Sequence, residues 1–109
     1  MNKDKLSKLV NDLIDAKAKV DATTKGDFGG TCNFDSATLL GLRLSEHEID
    51  NIASISGVRL SRFTWMGRVA YWVHTGSYGQ GTDNTKCAEA AYKVLKSRGW
   101  DCTMYYRMD

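Results

Sequence analysis

A chain of 109 residues, 42% hydrophobic and 26% charged, has the make-up of a single globular domain with a modest core and no room for a second domain. Its apolar runs fall short of the ~20 residues a membrane span requires, and its N-terminus lacks the apolar stretch of a secretion signal, so a cytoplasmic protein with no membrane partner is expected. A formal net charge of +2 is too small for general nucleic-acid affinity, which needs basic residues massed on one face, but it suits a small anionic ligand.

Residues 3 to 21 set Leu6, Leu9, Val10, Leu13, Ile14, Ala18 and Val20 along one side of a helix, with lysines and aspartates opposite. Residues 1–22 are therefore expected as an N-terminal helix whose stripe either covers its own domain or pairs subunits. Residues 28–109 are expected to form the α+β core of the same domain. A break rich in Thr, Asp and Gly runs from Ala22 to Gly30. The short apolar run Ala37, Leu39, Leu40, Leu42 predicts a strand over Ser36 to Leu44. Ser45-Glu46-His47-Glu48 is a capping box, in which the serine accepts from the third helical amide and the glutamate reaches back. The helix it opens should bury Ile49, Ile52 and Ala53 and end at Gly57.

Val58 to Trp65 and Arg68 to His74 read as two strands of an antiparallel hairpin joined at Met66-Gly67. Thr85 to Arg98 is helical in pattern, with Ala88, Ala91, Tyr92 and Leu95 on one side and Gly99 as its stop. Trp100 to Arg107 alternates Trp100, Cys102, Met104, Tyr106 with Asp101, Thr103, Tyr105, Arg107, as a half-buried strand does. The order is an N-terminal helix, then the β-α-β-β-α-β arrangement of ferredoxin-like domains: an antiparallel sheet with helices on one face. Its other face stays open unless a second subunit covers it, which predicts a homo-oligomer.

Cys32, Cys87 and Cys102 are odd in number and far apart, with no Cys-x-x-Cys pair, and read as reduced, buried thiols. The glycine stretch Gly76 to Asn84 is a more promising place for chemistry, since it runs into a helix start whose unpaired amides and positive dipole end attract anions. Gly29-Gly30-Thr31-Cys32-Asn33 repeats the design: glycine amides to converge on an anion, a threonine hydroxyl, then an Asx side chain able to pair with a base edge or ribose. Aromatic neighbours that can stack on bases flank both stretches. The candidate ligand-binding residues are therefore Gly30, Thr31, Asn33, Phe34, Tyr78, Gly79, Gln80, Gly81, Thr82 and Asn84, with Arg107 as a stacking or phosphate-binding group. Arg59, Arg62 and Arg68 are further phosphate candidates, and His74 reads as a structural residue at a strand end.

Several chemistries lack their residues. No Gly-Lys-Ser/Thr closes the glycine stretch, so it is not a phosphate loop of the nucleotide-hydrolysing kind. The dinucleotide fingerprint is incomplete. Tyr71 and Trp72 are adjacent and so point to opposite faces, unlike the aromatics of an RNA-recognition strand. Neither His47 nor His74 begins a His-x-Thr/Ser site, and no carboxylate cluster suggests a metal. The expectation is binding without catalysis, metal or cofactor.

The stretch Phe28-Gly29-Gly30-Thr31-Cys32-Asn33-Phe34-Asp35, the Gly79-Gln80-Gly81-Thr82 loop opening a helix with Ala88-Glu89-Ala90, and the ending Tyr105-Tyr106-Arg107-Met108-Asp109 resemble a family of small bacteriophage proteins, the anti-CBASS nucleotide sponges of the fourth named type. The resemblance covers residues 28 to 109. It implies a homotetramer that binds cyclic dinucleotides such as 3′3′-cGAMP in the host bacterial cytoplasm, without cleaving them, and so holds them from the antiviral effector. Two other classes fit the residues: a phage protein-binding inhibitor of a host complex that uses the open sheet and long first helix, and a small single-strand nucleic-acid module.

Overall fold

The structure, a computed structural model, describes residues 2–23, 36–75 and 82–105, with the backbone alone for residues 23 and 82–86. Helix α1 (Lys3–Thr23) precedes strand β1 (Ser36–Leu40), helix α2 (Glu46–Ser56), strands β2 (Arg59–Trp65) and β3 (Arg68–His74), helix α3 (Thr82–Ser97) and strand β4 (Cys102–Tyr105). Each boundary has a local cause. Asn2 caps α1, its Oδ1 accepting from the amides of Asp4 at 2.7 Å and Lys5 at 3.2 Å. The expected capping box opens α2, with Ser45 Oγ accepting from Glu48 N at 3.1 Å and Glu48 Oε1 accepting from Ser45 N at 2.9 Å. Gly57 closes it at φ 75°, donating to Ala53 O. Met66 and Gly67 both take positive φ, 53° and 76°, which is the primed two-residue turn that matches the twist of a hairpin. Past α3, Gly99 N donates to Lys96 O and Trp100 N to Leu95 O, the paired bonds of a Schellman stop.

Strand β1 ends four residues earlier than its apolar run suggested. Gly41 turns out of the ladder at φ 73°. Leu42 and Leu44 beyond it are buried all the same, in an extended link whose Leu44 amide donates to Tyr71 Oη at 2.8 Å.

The strands form one sheet in the order β2-β3-β1-β4. Every neighbouring pair is antiparallel. Strands β1 and β2 both oppose β3 between them and so run parallel to each other; β3 and β4 do the same around β1. Helices α2 and α3 each bridge one of these parallel pairs, which makes the fold two split β-α-β crossovers behind an N-terminal helix. Helix α2 packs on β2, α3 on β1 and β4, and α1 against both helices. Ala37, Leu39, Leu60, Tyr71, Val73 and Cys102 from one side of the sheet join Leu9, Leu13, Ile49, Ile52, Ala91 and Leu95 in a single core.

The stripe of α1 lies within this core. Leu9, Leu13, Ala16 and Val20, spaced by three or four residues, are fully buried, whereas Ile14 is 40% exposed and Ala18 faces out. A polar knot fixes the helix in place. Asp12 Oδ2 accepts from Lys8 Nζ at 2.8 Å and Trp100 Nε1 at 2.7 Å, and its Oδ1 from Arg98 Nη1 at 2.8 Å. Lys8 Nζ also donates to Arg98 O at 2.7 Å. The start of α1 therefore sits at the end of α3, and the two run antiparallel. Further along, Lys17 Nζ donates to Thr75 O just past β3. Among the described residues no helix is long and apolar enough to cross a membrane.

Candidate ligand-binding face

Successive strand residues point to opposite faces, so the burial of Leu60 and Tyr71 among the helices sends Ser61, Phe63 and Trp65 of β2, and Trp72 and His74 of β3, to the side that is helix-free among the described residues. The register Ser61↔Trp72 and Phe63↔Ala70 keeps them together. Thr38 and Ser36 of β1 lie on the same side through Thr38↔Trp72, and carry it on to Thr103 and Tyr105 of β4. Small residues at Ala70, Ser36 and Thr38 leave space into which the large rings lean. Phe63 and Trp72 stack with centroids 4.3 Å apart. Tyr105 meets Phe63 and Trp65 edge-on at 5.7 Å and Trp72 at 5.9 Å. The result is an aromatic platform spread over three strands.

One donor in that platform is unsatisfied. Trp72 Nε1 is buried and has no hydrogen-bond partner among the described residues, although an indole N–H shielded from water ordinarily finds one. His74 closes one end of the face, with Nε2 3.0 Å from Ser61 Oγ and its ring edge-on to Trp72 at 6.4 Å. Burial, and then the nearby Arg59 charge, hold its pKa below the usual histidine range, so the ring is neutral at pH 7. Among the described residues its ring neighbour is the Trp72 indole.

The three arginine candidates part ways. Arg62 pairs in register with Tyr71 and lies on the helix side, where its guanidinium donates to Leu44 O and sits 5.9 Å over the Tyr71 ring. It holds the link after β1 and is not presented on the helix-free face. Arg59 and Arg68 share the register of the aromatic face, but each is turned to a carboxylate at 3.3 Å, Asp50 and Asp101 respectively.

Gly30, Thr31, Asn33, Phe34, Tyr78, Gly79, Gln80, Gly81 and Arg107 lie outside the described residues, as do the side chains of Thr82 and Asn84, whose backbone forms the first turn of α3. The described ends that carry these stretches come together. Ser36 opposes Tyr105 directly, and the antiparallel pair Thr38↔Trp72 brings it level with His74. The antiparallel course of α1 and α3 sets Thr23 at the same end as Thr82. All three stretches are thus tethered at one end of the sheet, beside Tyr105 and His74.

Cys87 and Cys102 are both buried; Cys102 is a free thiol, and burial pushes its pKa up to about 11, which leaves it protonated and inert. Cys32 lies outside the described residues. The platform itself was hidden from single-strand reasoning: Tyr71 and Trp72 do point apart, but Phe63, Trp65, Trp72 and Tyr105 converge from different strands. The signal was the two-residue Met66-Gly67 turn, which fixes Trp65 opposite Arg68 and hence Phe63 and Trp72 on one side. Set against known protein families, curated proteins and solved structures, the chain matches none.

Proposed function

We propose that this protein captures a cyclic dinucleotide of the 3′3′-cGAMP kind without cleaving it, and so withholds the signal from a host antiviral effector in the bacterial cytoplasm. The observation that carries the reading is the helix-free aromatic face, with the unpaired Trp72 Nε1 and with the tethers of both Gly-Thr-Asx stretches at its edge. Aromatic faces stack on bases of any sequence. Amides of Gly30 and Thr31 and of Gly79 to Thr82 are assigned to the phosphates, and Phe34, Tyr78 and Arg107 to the bases, as glycine-rich anion cradles and stacking groups act elsewhere. Further copies of the chain, one of them beside the sheet face that no described helix covers, would build the homotetramer that the phage-sponge resemblance implies. Capture requires affinity and slow release, and no bond need break.

The test is to incubate the protein with 3′3′-cGAMP, isolate the protein by gel filtration, release the ligand by heat and chromatograph it. Intact cyclic dinucleotide travelling with the protein supports the proposal. Linear product or an empty protein overturns it.

The aromatic spread over three strands also favours a second reading, a single-strand nucleic-acid module. It predicts oligonucleotide binding that weakens steeply with salt, whereas a small ligand with two phosphates loses far less.

A further inference from the structure

The opposite end of the sheet carries a separate cleft. It has a volume of about 710 Å³ and is walled by Lys5 at the start of α1, Gly41, Leu42 and Arg43 after β1, and Arg68 at the start of β3. It continues past Lys5 and Gly41 into a hollow of about 440 Å³ beside Lys8, Arg98 and Asp101.

The charges around it are unequally matched. Lys8 and Arg98 are held by Asp12 at 2.8 Å each, and Arg68 has Asp101 at 3.3 Å. Lys5 and Arg43 form no ion pair among the described residues. Both are exposed.

The backbone tells the same story. Leu40 N donates to Asp101 O at 2.8 Å and Leu44 N to Tyr71 Oη at 2.8 Å. Between them, the amides of Gly41, Leu42 and Arg43 donate to no backbone carbonyl among the described residues. Backbone donors normally all find a partner. Gly41, Leu42 and Arg43 all line the cleft, so amides left without a carbonyl there are donors that an anion can use. Two arginine forks, Arg43 and Arg68, add the planar donor geometry that suits phosphate better than a point charge does.

We infer that this cleft binds an oligophosphate, a pyrophosphate unit held by Lys5, Arg43, Arg68 and the amides of residues 41–43. The inference does not rest on the cyclic-dinucleotide reading, whose groups belong to the other end of the sheet. Free pyrophosphate and the phosphate tail of a nucleotide share this chemistry.

The test is a titration of the ¹⁵N-labelled full chain with sodium pyrophosphate, and separately with ADP, at constant ionic strength. The expected result is saturable shifts of the Gly41, Leu42 and Arg43 amides, weakened tenfold or more in the double variant Lys5→Ala with Arg43→Ala. Tighter binding of ADP would identify a nucleotide tail, and equal or tighter binding of pyrophosphate the free anion; either supports the site. Unmoved amides at 41–43 in the parent chain overturn it, whatever the variant does. So does an unchanged affinity in a folded double variant.

Discussion

Asp12 is the side chain on which the placement of the first helix turns. It is buried, and burial alone raises a carboxyl pKa, but the hydrogen bonds from Lys8, Trp100 and Arg98 outweigh this and hold it below the usual value. A carboxylate depressed in the folded state stabilises the fold above the unfolded pKa, and that stability is lost as pH falls through the folded value. Asp12→Ala would strand the Trp100 indole in the core and is expected to cost about 2–3 kcal/mol in urea denaturation. An unchanged midpoint would mean the knot contributes nothing. His74 has the reverse chemistry, since its depressed pKa makes the unfolded chain the better proton acceptor below the usual histidine value. Stability should therefore be full above about pH 6.5 and fall as the pH drops from there toward the folded pKa. Thermal melts at pH 7.5 and 5.5 check this: His74→Gln should shrink the difference between them, and an equal difference in both proteins would refute it.

Among the elements, the β2–β3 hairpin determines the aromatic face, because a slip of one residue would send Phe63 and Trp65 to the helix side. Its turn carries one imperfect residue. Met66 adopts φ 53° with 86% of its surface exposed, a conformation that asparagine accepts more readily. Met66→Asn should stabilise the chain by about 0.5–1 kcal/mol, read as a higher urea midpoint with the same slope; a loss of stability would contradict the turn. Helix α3 bears on the site through its first turn, which starts at Thr82, three residues ahead of the periodic apolar pattern. Gly81→Ala with Thr82→Val should abolish ligand capture and keep the melting profile, and full capture would show that this stretch does not hold the ligand. Features written in a few adjacent residues were readable from sequence: the Ser45–Glu48 box, the Gly57 and Gly99 stops, and the Met66-Gly67 turn. The end of β1 was not, because Leu42 and Leu44 are as apolar as strand residues yet are buried without a ladder partner. Nor was the buried side of α1, where Ala16 replaces Ala18 in the core, since the exact face depends on how α3 lies against it.

For the molecule as a whole, the two ends of the sheet differ in character. One end gathers the tethers of residues 24–35, 76–81 and 106–109 beside the aromatic face, and the other opens on the basic cleft around Arg43. The order of elements and the α+β class followed from periodicity, because each split crossover needs only a strand, a helix and a parallel strand in sequence. The platform of Phe63, Trp65, Trp72 and Tyr105 did not, because it exists only once three strands are in register. Its proposed role is the centre of the account. The most direct measurement is a calorimetric titration of the full chain and its Phe63→Leu variant with 3′3′-cGAMP. Saturable binding by the parent and an affinity at least tenfold lower in the variant are expected, as when a base loses stacking worth about 1–3 kcal/mol. No heat from the parent, or identical isotherms for the two proteins, would contradict it.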